Sequence, residues 1–116
     1  MGGLDELSLD GGLVETASLR ASDMAERGYF SHVSPNGETA FSLMEELADV
    51  PWTVAAENIA RNNYPDDQAV EVTIRAFMSS EGHRRNILNG NLRRAGVAVV
   101  ADASGMHYLV VVFSGD

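Results

Sequence analysis

Two C-terminal segments, Arg94 to Ala101 and Met106 to Phe113, read as strands joined by a turn at Asp102 to Gly105, and neither alternates between apolar and polar residues. Val97 and Val99 point one way while Ala98 and Val100 point the other, and Leu109 to Phe113 is apolar on both sides. A sheet that is apolar on both faces has to be covered on both. Earlier segments supply the helices for this, so the expected fold is α+β: a three-layer α/β/α sandwich around a small, mainly antiparallel sheet. With 116 residues, 45% of them hydrophobic, and no repeat or linker, the chain is expected to form one domain over residues 1–116.

The helices can be placed from caps and periodicity. Asp10 is a good N-cap, Val14, Ala17, Ala21, Met24 and Ala25 recur at spacings of three and four, and Gly28 sits where a C-cap glycine belongs. This predicts a helix near residues 11–27, with Arg20, Asp23, Glu26 and Arg27 mostly off its apolar face. Thr39 can cap a shorter helix carrying Phe41, Leu43, Met44 and Leu47, which Pro51 ends near Asp49. Trp52 to Ala56 reads as a brief strand or an extended linker. A further helix is expected over residues 66–79, with Val70, Ile74, Phe77 and Met78 as its apolar stripe and Asp66 and Asp67 at its positive end. Ser79, Ser80 and Gly82 end it and deliver His83 just beyond, and Asn86 to Leu88 form one short helical turn.

Charge and composition exclude several roles. A net charge of -9, with arginine as the only cation, disfavours nucleic acid and anionic membrane surfaces as partners. The longest apolar runs fall far short of the roughly 20 residues that span a bilayer, so no integral membrane segment is expected. Zero cysteines remove disulfides and thiol chemistry. There is no phosphate-binding glycine loop, GxSxG elbow or HExxH helix.

The residues able to carry chemistry are few. His32 lies in a loop of turn formers from Ser31 to Thr39, where a scaffold can present an imidazole. Glu57 sits among Ala55, Ala56, Ile59 and Ala60, and a carboxylate in such company has to be paired, hydrogen-bonded or bound to a cation. His83 follows a helix end in Glu81 to Asn89. Arg84, Arg85, Arg93 and Arg94 place half the cations in one window, which reads as surface ion pairs or as a local anion site. His107, opening the last strand, has no chemical company and reads as structural or exposed.

Three ordered motifs make the chain recognisable: DMAERGYFSHVSP from Asp23 to Pro35, AENIA from Ala56 to Ala60, and FMSSEGHRRNILN from Phe77 to Asn89, closed by GVAVV and YLVVVF strands. Together they resemble the bacterial branch of the CAP superfamily, which groups cysteine-rich secretory proteins, antigen-five allergens and pathogenesis-related proteins as SCP-like extracellular domains. The resemblance implies an α/β/α sandwich, an exported protein and a central cleft lined by histidines and acidic residues. It maps onto His32, Glu57 and His83, with histidines associated with a divalent cation, often zinc. The second acid of the family falls near Ser80, with Glu81 beside it as the candidate substitute. The family's first helix is expected to be missing or truncated within MGGLDEL, which also lacks the features of a secretion signal, so export would rely on a segment outside this sequence.

Two neutral imidazoles and a carboxylate suit zinc or another divalent cation, with His32 and His83 as ligands. Direct hydrogen bonds from Glu57 to the histidines account for the same residues without a metal. The leading functional expectation is a non-enzymatic, exported binding module whose cleft of His32, Glu57, Glu81 and His83 accepts a cation and a small or extended ligand such as a lipid, peptide or cell-wall fragment. The alternatives are a metal-assisted hydrolase with Glu57 as general base, or an interaction protein of a cell surface or spore layer.

Overall fold

The computed structural model describes residues 8–47 and 52–115. Its elements in order are β1 (Ser8–Leu9), α1 (Gly11–Arg27), α2 (Ala40–Leu47), β2 (Val54–Asn62), α3 (Asp66–Ser79), α4 (Glu81–Leu88), β3 (Arg94–Ala101) and β4 (His107–Gly115). The four strands form one sheet in the order β1-β3-β4-β2. Both long pairings, β2 with β4 and β3 with β4, are antiparallel, and β1 adds a two-residue parallel pairing to β3. This is the mixed sandwich expected from the two-sided strands. The expected reduced first helix lies outside the described residues, as does the end of the second helix near Asp49.

Helix α1 follows its caps. The Asp10 side chain accepts from Leu13 N at 3.0 Å, and Gly28 closes the helix in the left-handed region at φ 70°. Leu13, Ala17, Ala21 and Met24 are buried against Ala98, Val110 and Val112, with Ala40 and Met44 of α2 completing the layer. The fit depends on Gly96: a Cβ there would lie 2.1 Å from the carbonyl carbon of Leu13. Without it, the first turn of α1 could not rest on β3.

The opposite face carries α3 and α4. Strand alternation assigns Val54, Ala56, Val111 and Phe113 to this side, where Ile87, Leu92 and Ala95 join them. The cover here is incomplete, which changes two expectations. Val97 and Val99 remain 47% and 40% exposed because the helices sit over β2 and β4 and leave β3 open. Along α3 the buried residues are Ala69, Thr73 and Phe77, while Val70 and Ile74 flank an open groove instead of packing.

Two boundaries also differ. The segment read as a brief strand or an extended linker at residues 52–56 is the start of a strand that runs from Val54 through Asn62, because Ala55 to Asn62 continue the pairing with β4 and carry the whole AENIA motif into the sheet. The predicted short turn at residues 86–88 is the end of a two-turn helix, α4, that begins at Glu81. Ser80 ends α3 and opens α4 with extended backbone angles, so His83 lies inside a helix and not just beyond one.

Candidate functional site

Strand β2 lies at an edge of the sheet and alternates its side chains between the two layers. Glu57 pairs in register with Val112 and so faces α1; Asn58 pairs with Val111 and faces α4. Two neighbouring polar residues therefore organise two clusters, one on each face of the same edge.

On the α1 face, Arg20 reaches the Glu57 carboxylate as a fork, with Nε donating to Oε2 at 2.8 Å and Nη2 to Oε1 at 3.2 Å. His32 Nδ1 meets the same Oε1 at 2.7 Å. A carboxylate already held by a guanidinium accepts here, so Nδ1 carries the proton, and in the neutral imidazole Nε2 is left as the lone-pair nitrogen of His32. The remaining Arg20 donors go to the Ser31 carbonyl at 2.6 Å and to the Tyr29 hydroxyl at 3.2 Å, which itself donates to Asp23 at 2.6 Å. Arg20 is thus 1% exposed with every arm engaged.

The electrostatics follow from this packing. Burial works against the Arg20 charge, but the hydrogen bond and charge of Glu57, reinforced by Tyr29, outweigh it and raise the guanidinium above its ordinary value. Burial, together with the bond to Asp23, pushes the Tyr29 phenol up to about 12 against the opposing pull of Arg20. The Glu57 side chain is 3% exposed, whereas that of His32 is 59% exposed. The imidazole is the part of this cluster that solvent and ligands can reach.

On the α4 face, Asn58 is fully buried, donates to the His83 carbonyl at 3.1 Å and accepts from Asn86 Nδ2 at 2.8 Å. His83 Nδ1 lies 2.9 Å from Ser80 Oγ, and its ring stacks on Phe77 with centroids 4.8 Å apart. Both histidines are therefore anchored through Nδ1, one by Glu57 and one by Ser80. Glu81 does not join them: it is exposed on α4 and paired with Arg85 one turn on. His107 is buried, with Nε2 2.7 Å from Asp66 Oδ1, so it fixes the first turn of α3 in a structural role.

Arg20 is the site residue that sequence reasoning misplaced. The buried series Leu13, Ala17, Arg20 and Met24 runs at steps of four, three and four, putting Arg20 in the middle of the apolar face. Asn58 was hidden behind its more conspicuous neighbour in the AENIA motif.

The donors do not make up a three-ligand zinc centre. Among the described residues no group of three or more histidine, cysteine, aspartate or glutamate side chains is placed to hold a metal. Glu57 has both oxygens engaged by Arg20. What the arrangement leaves for a cation is imidazole Nε2, with the ring of His32 oriented from behind by a carboxylate, as outer-shell partners commonly do.

A family model described as the cysteine-rich secretory protein family matches residues 1–113 of this chain. The chain belongs to the CAP family. Among its relatives is the uncharacterized protein YkwD of Bacillus subtilis, 36% identical over 102 residues, a match that covers 88% of this chain and 38% of the relative. The uncharacterized membrane protein YlbC of the same organism is 38% identical over 97 residues, covering 84% of this chain and 27% of the relative. The CAP domain thus spans well under half the length of these relatives.

Solved structures agree on the fold. An extracellular protein of Bacillus anthracis containing an SCP domain superposes with a TM-score of 0.80 at 27% identity, over 95% of this chain and 34% of that one. A cysteine-rich secretory protein of Staphylococcus aureus gives a TM-score of 0.72 at 23% identity over 98% of this chain and 33% of that one, a likeness of fold alone. No helix among the described residues is long and apolar enough to cross a membrane. The CAP family name mentions cysteine, yet this chain has none, so no disulfide holds its sandwich, and the buried Arg20–Glu57 pair ties α1 to β2 beside the packing.

Proposed function

We propose that this CAP domain is a non-enzymatic binding module that works outside the cell. One observation carries the reading: the buried carboxylate at the centre of the site is already neutralised by the Arg20 fork and also holds His32. A general base needs a lone pair facing the proton it removes, and Glu57 would have to give up a buried ion pair to offer one. Its role is instead to orient His32, whose ring is exposed on a loop that also exposes Phe30 and Val33. An exposed hydrogen-bonding nitrogen on a loop that also exposes apolar side chains suits a small or extended ligand with both polar and apolar parts, such as a lipid, a peptide or a cell-wall fragment. Location outside the cell is supported by the extracellular description of the Bacillus anthracis neighbour.

A divalent cation belongs to this proposal only through the Nε2 atoms of His32 and His83. Calorimetry with zinc is expected to give binding that His32→Ala and His83→Ala each weaken, while the intact domain turns over no peptide or ester library above buffer, with or without zinc. Metal-dependent turnover that disappears in Glu57→Gln would establish the hydrolase instead.

A further inference from the structure

Among the described residues, the opposite edge of the sheet, across from β2, is left open beyond β1. Strand β1 covers β3 only at Arg94 and Ala95, because the chain turns at Asp10 into α1. Asp10 N donates to the Ala95 carbonyl on this side, and Asp102 N donates inward to Met106. In an antiparallel ladder the outward-facing residues alternate, so Val97, Val99 and Ala101 turn their N–H and C=O groups away from β4. No strand pairs with them among the described residues. All three are exposed, and an uncovered apolar edge is a template for another chain.

A cavity flanks this edge on each face of the sheet. On the α3 face is an apolar groove of about 310 Å³, walled by Leu9, Val70, Ile74 and Val97. On the α1 face is a depression of about 400 Å³ formed by Ser22, Ala25, Glu26, Val100, Ala101 and Asp102. A strand laid beside β3 would send alternate side chains to opposite faces, one set into the apolar groove and the other toward Glu26 and Asp102.

We infer that the Val97–Ala101 edge accepts an extended segment of another polypeptide as an added strand, one with apolar side chains on its groove face and a cationic residue at the end that lies beside Ala101. The bonds to the main chain give affinity, and the two flanking cavities select the side chains. A cation at that end fits the carboxylates of Glu26 and Asp102, which line one cavity beside Ala101, and the net charge of -9. The same charge disfavours a second copy of this chain as occupant, since two such molecules repel. This edge is remote from His32 in the strand order and stands independently of the function proposed above.

The test uses a synthetic heptapeptide alternating valine and threonine between terminal lysines, titrated into the domain and followed by amide NMR. The expected result is perturbation and slowed hydrogen exchange at Val97, Val99 and Ala101. Val99→Pro removes an outward N–H that makes no bond to β4, a position where edge strands tolerate proline, and is expected to weaken binding at least tenfold with unchanged circular dichroism. A fully N-methylated peptide, which cannot donate to the edge, is expected not to bind the unaltered domain, so the outcome does not depend on how that variant folds. Absent binding, equal binding of the N-methylated peptide, or a self-dimer in sedimentation that Val99→Pro abolishes would each overturn the inference.

Discussion

The two faces of the sheet are built differently. On the α1 face, Leu13, Ala17, Ala21, Met24, Val110 and Val112 are closed off from solvent, Gly96 lets the helix touch the strand, and the charges that enter are forked together. On the α3–α4 face, a short apolar cluster around Leu92, Ala95 and Phe113 is bordered by exposed Val70, Ile74 and Val97. The α1 face therefore fixes the fold with little tolerance, while the other face leaves surface for contacts. Tight packing on one side allows a small domain to keep an open side over a much smaller second core.

The largest test of this contrast compares neighbours on β3. Gly96→Ala would drive a Cβ into the backbone of Leu13 and is expected to cost at least about 3 kcal/mol in urea unfolding. Val97→Thr, one residue on and facing the open groove, is expected to stay within about 0.5 kcal/mol. Equal losses would erase the difference between the faces.

A middle-sized effect is expected at Asn58, a fully buried polar group that the looser face depends on. Asn58→Ala leaves the His83 carbonyl and the Asn86 amide without this partner and is expected to cost about 1–3 kcal/mol. Amide exchange in α4 should rise with it, while exchange in α1 stays slow.

The smallest effect concerns alkaline pH. The folded phenol of Tyr29 loses its proton near 12, above its ordinary value near 10, so the folded state holds the proton that the unfolded chain gives up. The resulting stabilisation is fully present below about pH 10 and is lost as the pH rises toward 12. Tyr29→Phe is expected to flatten the stability profile across that window in a urea series, with a slope unchanged below it.

The sequence made much of the architecture legible. Asp10 and Gly28 bound α1 as their cap chemistry requires, and the two-sided strands called for layers on both faces. His32 and Glu57, picked out by motif, do touch. What could not be read has physical causes. Amphipathic reading assigns arginine to solvent, so Arg20 was set aside although its spacing placed it on the buried face. The polar pair Glu57 and Asn58 broke the apolar pattern that marks a strand, because an edge strand can carry a polar cluster on each side. Val97 looked like core because valine fits a sheet equally well when the layer above it stops short.

The account stands on Glu57 being the partner of Arg20 rather than a free base or ligand. A double-mutant cycle with Arg20→Met, Glu57→Gln and the combination measures this directly. Each single change leaves one member of a buried pair uncompensated, at an expected cost of about 3–5 kcal/mol. The combined variant should lose far less than the sum, giving a coupling of about 2–3 kcal/mol. Losses that simply add, to within about 0.5 kcal/mol, would contradict it and return Glu57 to the pool of available catalytic groups.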